Sequence, residues 1–211
     1  MDAASALARI RQTRIIVVLR GDFPPAKAIA VCEVLLENGL DIVELTTNSP
    51  EWQEALPAVR QAFGADLLAG MGTILQPAQV GQALELGAQF LVSPAFDPAV
   101  VSTAHAAGLL IAPGVATPSE AVNAANHGCK LIKFFPAGAL GINYFKAMRG
   151  PLNHLDFTCN GYMHVGNIAD FLRAGATACG LAGDGLAGDG RRPLEEIRAI
   201  AREVAAIVRD L

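Results

Sequence analysis

Three charged residues follow strongly apolar runs: Arg20 after Ile-Ile-Val-Val-Leu, Glu44 after Ile-Val, and Lys133 after Leu-Ile. Lysine and glutamate are rarely buried unless they are paired or used, so these placements need a reason. Desolvation and a neighbouring cation both disfavour the charged form of a lysine. The neutral amine that results can attack a carbonyl. Glu44 would then carry protons, while Arg20 would hold an anion or tune Lys133. An ion-pair layer capping the runs would place the same charges without any chemistry, and placement alone leaves both readings open. Lys130, at the start of the run that holds Lys133, is expected on the opposite side and at the surface.

Something must bring these residues together, and the apolar runs themselves are the candidates. They are Ile15 to Leu19, Ile42 to Leu45, Leu67 to Ala69, Phe90 to Val92, Leu109 to Ala112, Leu131 to Phe134, Phe157 to Cys159 and Ala176 to Gly180, eight in all. Helix-like segments precede them and close in Gly39, Gly64, Gly87, Gly108, Gly128, Gly150 and Gly175, spaced 20 to 25 residues apart. Glycine suits a helix end because the chain commonly leaves through a left-handed residue. A leucine-rich solenoid has a similar period, but its L-x-x-L-x-L-x-x-N pattern does not repeat. Eight strand-helix units predict one closed parallel (β/α)8 barrel, the TIM barrel, spanning residues 1–211 as a single domain with no linker.

Active sites of such barrels lie at the C-terminal ends of the strands. The polar residues expected there are Arg20, Glu44, Thr73 after Gly70-Met71-Gly72, Ser93-Pro94, Pro113-Gly114, Lys133, Asn160-Gly161 and Gly180. Helix starts are marked by Pro24-Pro25, Ser49-Pro50-Glu51 and Thr117-Pro118-Ser119-Glu120, where proline loses no needed N–H. Residues 2–12 read as an extra N-terminal helix and residues 193–211 as a closing amphipathic one.

Composition narrows the function classes. Of 211 residues, 52% are hydrophobic and 17% charged, which excludes a disordered chain and suits parallel strands covered on both faces. Uncharged stretches carry Gly, Gln, Thr and Pro, so no segment reads as a membrane span, and the N-terminus lacks the order of a secretory signal. The cytoplasm is the expected location. A net charge of −4 with no basic cluster beyond a pair argues against nucleic-acid binding. Cys32, Cys129, Cys159 and Cys179 are spread out and read as buried free thiols. The repeated Ala182-Gly183-Asp184-Gly185 and Ala187-Gly188-Asp189-Gly190 lack a calcium-loop series and read as a flexible loop. His105, His127 and His154 are expected away from the active end, and no metal constellation is visible. His164 reads as a loop histidine.

Several motifs together carry a resemblance. Gly70-Met71-Gly72-Thr73-Ile74-Leu75, Pro113 to Ala121 and Lys130-Leu131-Ile132-Lys133-Phe134-Phe135-Pro136-Ala137 are similar to the 2-keto-3-deoxy-6-phosphogluconate and 6-phosphogalactonate aldolases. The likeness runs from about Arg14 to Leu186 with the motifs in the same order. It implies a metal-independent class I aldolase with no cofactor, built on a (β/α)8 barrel, usually trimeric, that yields pyruvate and glyceraldehyde 3-phosphate. By the resemblance Lys133 is the Schiff-base lysine and Glu44 the proton shuttle. Thr73 and the backbone around Gly72 match the pyruvate-carboxylate site, with Arg20 beside it, and Pro94 and Phe135 match residues that wall the pocket. Glu44 to Pro50, with its Asn-Ser-Pro, and Leu140 to Ala147 resemble the galactonate branch, which makes that substrate the first choice.

Two places depart from the pattern. The family's phosphate site uses a Gly-Gly and a Gly-Ser pair, where this chain has Gly161-Tyr162 and Ala182-Gly183. Asn160 stands where the gluconate type has Thr and the galactonate type Val, a position that separates C4 epimers. An asparagine there can hydrogen-bond a substrate hydroxyl. These departures keep open an unphosphorylated 2-keto-3-deoxy sugar acid or 4-hydroxy-2-oxoglutarate as substrate. A barrel isomerase using the same acid–base pair, or a silent barrel binding a small anion, are the readings of other classes.

Overall fold

The computed structural model describes residues 2–211. Helix α1 (Ala3–Thr13) precedes β1 (Ile15–Leu19), and strands and helices then alternate: α2 (Pro25–Glu37), β2 (Ile42–Thr46), α3 (Trp52–Phe63), β3 (Leu68–Gly72), α4 (Pro77–Glu85), β4 (Phe90–Val92) and α5 (Pro98–Ala106). The second half continues with β5 (Leu110–Ala112), β6 (Gly114–Val115), α6 (Pro118–Asn126), β7 (Ile132–Phe134), α7 (Ala137–Leu140), α8 (Ile142–Arg149), β8 (Phe157–Asn160), α9 (Ile168–Arg173), β9 (Ala178–Ala182) and α10 (Leu194–Arg209).

The strands form one parallel sheet in the order β5-β4-β3-β2-β1-β9-β8-β7-β6. Its two ends, β5 and β6, are halves of one strand split at Pro113, which has no N–H to give to a ladder. One half pairs with β4 and the other with β7, so the sheet closes as the expected (β/α)8 barrel.

Alternation along the strands divides the apolar residues between two cores. Val17, Val43, Ala69, Leu91, Ile111, Ile132, Cys159 and Leu181 face outward and pack under the helices. Ile16, Ile42, Leu68, Phe90, Leu110, Leu131 and Ala178 face inward, and Ala6, Leu7 and Ile10 of α1 join them from the N-terminal end. The extra helix is therefore a plug for the floor of the barrel. Period two then carries the inner face upward from Ile42 to Glu44 and Thr46, from Leu131 to Lys133, and through Thr158 to Asn160.

Several boundaries differ from the sequence reading. Strand β3 extends through Gly72, and β9 ends at Ala182 instead of Gly180, because Gly70 and Gly72 in one and Gly180 and Ala182 in the other carry weak strand signals. Helix α3 starts after Glu51, which is left-handed at φ 53°, so Pro50 lies outside its first turn. Gly150 closes α8 in a right-handed conformation, φ −49°, whereas the other six helix-closing glycines have positive φ. The glycine-rich segment 182–190 is not a loose loop. Leu186 and Ala187 are fully buried, Gly188 N–H donates to the Gly183 carbonyl at 2.7 Å, and Asp22 N–H donates to the Asp189 carbonyl at 2.9 Å. Glycine permits this closeness: a Cβ on Gly190 would stand 2.0 Å from the Asp22 carbonyl oxygen.

Candidate active site

Glu44 and Lys133 were expected at strand tips; each instead lies inside its strand, on the inner face, with β1, β9 and β8 separating β2 from β7 around the wall. Glu44 is completely buried and Lys133 is 3% exposed. Neither Glu44 oxygen has a hydrogen-bond partner among the described residues, and the pair makes no salt bridge. The two groups therefore face one another across the barrel without being spent on each other, which is not the geometry of a capping ion-pair layer. Burial pushes the Glu44 carboxyl above its ordinary range, against the fields of Lys133 and Arg20. Burial likewise pulls the Lys133 amine down, opposed by Glu44 and helped by Arg20. Both shifts favour the neutral forms.

Glycines make the room. A Cβ on Gly72 would lie 1.8 Å from Glu44 Oε1, and one on Gly70 would lie 2.4 Å from the Phe90 ring. On the opposite wall a Cβ on Gly180 would fall 1.9 Å from Asn160 Nδ2. The barrel thus alternates a large polar group with a missing side chain on the neighbouring strand, pairing Glu44 with Gly70 and Asn160 with Gly180 in register.

Phe135 and Pro94 are the residues expected to wall the pocket. Phe135 carries its ring 5.0 Å from Lys133 Nζ, and that ring lies against Gly161. Pro94 is half-buried, and its carbonyl oxygen would be 2.1 Å from a Cβ on Gly114. Thr158, absent from the sequence reading, is the register partner of Lys133 and is fully buried. Its hydroxyl donates to Asn160 Oδ1 at 3.0 Å, which occupies the amide's acceptor and leaves the Nδ2 donors. Inner-face alternation back from Asn160 would have found it. Arg20 is exposed just beyond β1, and Thr73 follows β3 with a left-handed φ of 61°. Thr46 and Ser49, also unforeseen, share a hydrogen bond of 2.7 Å above Glu44.

At the rim, Gly161 and Tyr162 are both left-handed, with φ of 87° and 57°. Tyr162 is 77% exposed, so its ring points away from the interior instead of filling it. Asn167 Nδ2 donates to the Tyr162 carbonyl at 2.9 Å, and Gly138 N–H to that of Gly161 at 2.8 Å. Among the described residues no group accepts from the Gly161 or Tyr162 N–H. Gly183 is left-handed too, φ 53°, and half-buried beside Ala182. Lys130 and His164 are exposed. No group of three or more His, Cys, Asp or Glu with metal-binding geometry occurs among the described residues. Among the described residues no helix is long and apolar enough to cross a membrane.

Known proteins match the chain in sequence and in fold. The chain is 34% identical to the 2-dehydro-3-deoxy-6-phosphogalactonate aldolase of Escherichia coli (strain K12), over 92% of this chain and 93% of that one. A structure described as native KDPGal superposes with a TM-score of 0.87 at 32% identity, covering 93% and 94% of the two chains. The KDPG aldolase of Legionella pneumophila, solved with pyruvate captured as a covalent carbinolamine, superposes at 0.78 with 25% identity, covering 96% and 95%. The family model for KDPG and KHG aldolase matches residues 7–191, and the chain belongs to that family of class I, metal-independent aldolases.

Proposed function

We propose that the chain cleaves a 2-keto-3-deoxy sugar acid to pyruvate and an aldehyde, with Lys133 as the Schiff-base residue and Glu44 as the proton carrier. The observation that carries this is the buried, unpaired Lys133 amine facing the fully buried, unpartnered Glu44 carboxyl. Neutral Lys133 Nζ attacks the C2 carbonyl carbon, and the oxygen takes a proton to give a carbinolamine. Protonated Glu44 supplies the proton that lets water leave, producing a cationic imine. The Glu44 carboxylate then accepts the C4 hydroxyl proton. As C4 becomes an aldehyde, the electrons of the C3–C4 bond move into the imine, leaving an enamine and no free carbanion. Reprotonation of C3 and hydrolysis release pyruvate and the free amine.

Thr73, the Gly72 backbone and Arg20 hold the carboxylate, while Phe135 and Pro94 keep water from the imine. Asn160 Nδ2 donates to a hydroxyl of the acceptor half. For the substrate we follow the names of the relatives: 2-dehydro-3-deoxy-6-phosphogalactonate, or its gluconate epimer, giving D-glyceraldehyde 3-phosphate. The outward Tyr162 ring and the unengaged N–H groups of Gly161 and Tyr162, with Ala182 and Gly183 at the end of the neighbouring strand, support a main-chain phosphate site. The whole chain works as one barrel unit in sugar-acid catabolism in the cytoplasm, as a homotrimer by its resemblance.

Incubation with pyruvate followed by borohydride, then peptide mapping, should place an adduct on Lys133, and Lys133→Ala should abolish it with the fold intact. An adduct on Lys130, or none, overturns the mechanism. Comparing cleavage of phosphorylated and unphosphorylated 2-keto-3-deoxy sugar acids and 4-hydroxy-2-oxoglutarate tests the substrate; no preference for the phosphorylated compounds overturns that part.

A further inference from the structure

The turn after β2 reaches in two directions. Toward β3, Thr47 Oγ1 donates to the Thr73 carbonyl at 2.7 Å, and Thr47 N–H donates to the Gly72 carbonyl at 3.0 Å. Gln79 backs this contact from α4, with Nε2 at 3.4 Å from Thr47 Oγ1 and Oε1 accepting from the N–H groups of Leu75 and Gln76. What they grip is a β-branched residue in left-handed backbone, φ 61°, which such side chains seldom adopt. Strain of this kind persists only where the surroundings over-determine it, and it clusters at functional sites.

Toward β1, Ser49 Oγ accepts from Gly21 N–H at 3.0 Å while bonded to the buried Thr46 hydroxyl. Gly21 directly follows Arg20 and is pinned from behind: at φ 127°, a Cβ there would lie 2.3 Å from the Asp189 carbonyl oxygen. The Arg20 side chain makes no hydrogen bond among the described residues, so the backbone anchored by Ser49 is what fixes where it starts.

We propose that Thr47 and Ser49 are positioning residues for the pyruvate half of the site, Thr47 acting through Thr73 and Ser49 through Arg20. The assignment rests on the roles given above to Thr73 and Arg20. One short turn, rooted two residues past Glu44, thereby sets both carboxylate contacts relative to the proton carrier, and small displacements of positioned groups are costly to rate. The two arms differ in charge. Thr73 is neutral. Among the described residues Arg20 and Glu44, the latter from β2, are the charged groups whose fields shift Lys133, with the Phe135 ring beside the amine.

The difference gives the test, which reads borohydride trapping of pyruvate against pyruvate concentration and pH. Thr47→Val should raise the half-saturating pyruvate roughly tenfold, matching loss of one hydrogen bond, and leave the pH midpoint in place. Thr47→Ser should restore it. Ser49→Ala should weaken pyruvate as well and move the midpoint upward, because a displaced Arg20 no longer opposes protonation of Lys133. In an Arg20→Met background Ser49→Ala should add no further midpoint shift. KM for the aldehyde in the condensation direction should stay within about twofold in each variant. Ser49→Cys, close in size, replaces Ser49→Ala where folding suffers. Unchanged pyruvate saturation, an equal midpoint shift in both arms, or weakening of both substrates together would overturn the proposal. Failure of the native chain to trap pyruvate would instead overturn the Lys133 mechanism on which it rests.

Discussion

Lys133 and Glu44 are held where solvent would not have them, and the fold must tolerate that. Between the ordinary glutamate range and the raised value in the fold, the folded chain keeps a proton on Glu44 that the unfolded chain has released. Stability therefore falls as pH rises through that window. Glu44→Gln removes the penalty, so the variant should unfold at a higher temperature than the native chain near neutral pH. The gap should close as acid protonates the carboxyl in both states, while cleavage drops about 10²- to 10⁴-fold, the usual contribution of a general acid–base. Thermal unfolding across that pH range, beside steady-state cleavage, checks both; a lower melting temperature at neutral pH would show that Glu44 stabilises the fold. The charged trio was legible in the sequence because charge after an apolar run is unusual. Thr46 and Ser49 were not, since threonine and serine are unremarkable in strands and turns, and Thr158 becomes legible only by counting back from Asn160 along the inner face. The room made by Gly72 and Gly180 also belongs to pairs of strands, whose register no single run reveals.

At the level of elements, glycines and prolines made the strand-helix alternation readable, and the misses lie where those signals have two meanings. Pro113 ended the predicted fifth strand, yet Gly114–Val115 resumes it with a different neighbour, because a proline can interrupt a ladder without turning the chain away. Gly150 marked the end of α8 correctly but for a different reason than left-handed geometry. By contrast, Thr117-Pro118-Ser119-Glu120 folds as its composition implies. Thr117 Oγ1 accepts from Glu120 N–H at 3.3 Å, and Glu120 Oε2 accepts from the N–H groups of Ala116 and Thr117, each at 2.9 Å. Those bonds, the Ala116 N–H first, hold the Glu120 carboxyl below its ordinary range. This capping box fixes the entry to α6 directly after β6. Thr117→Ala should cost about 1 kcal/mol of stability and leave the pyruvate adduct rate unchanged, as measured by chemical denaturation and trapping. An altered trapping rate would mean that the α6 entrance also shapes the site.

Across the whole molecule, the proposed site and the apolar packing sit at opposite ends of one barrel. The inner face runs from an apolar floor to a polar mouth, and the floor is completed by α1, whose Ala6 and Ile10 are fully buried among Ile16, Ile42, Phe90 and Leu131. The sequence showed that a helix preceded β1 but not where it lay, because an amphipathic stripe does not say which surface it covers. Outside that plug, a cleft of about 660 Å³ lies between α1, the connection from α2 to β2 and α10. Its central polar groups are engaged with each other, Arg9 Nε and Thr13 Oγ1 holding Asp41 at 2.7 and 2.6 Å. This end is therefore built for cohesion. Ile10→Ala should lower stability by about 2 to 5 kcal/mol, the range for a buried large-to-small change. Because Ile10 and Lys133 lie toward opposite ends, the variant should still trap pyruvate on Lys133 at the native rate at a temperature where it remains folded. Denaturant unfolding and trapping on the same sample separate the two effects. A slower adduct in fully folded Ile10→Ala would show that packing at the floor reaches the lysine through the intervening layer of Leu131 and Phe90.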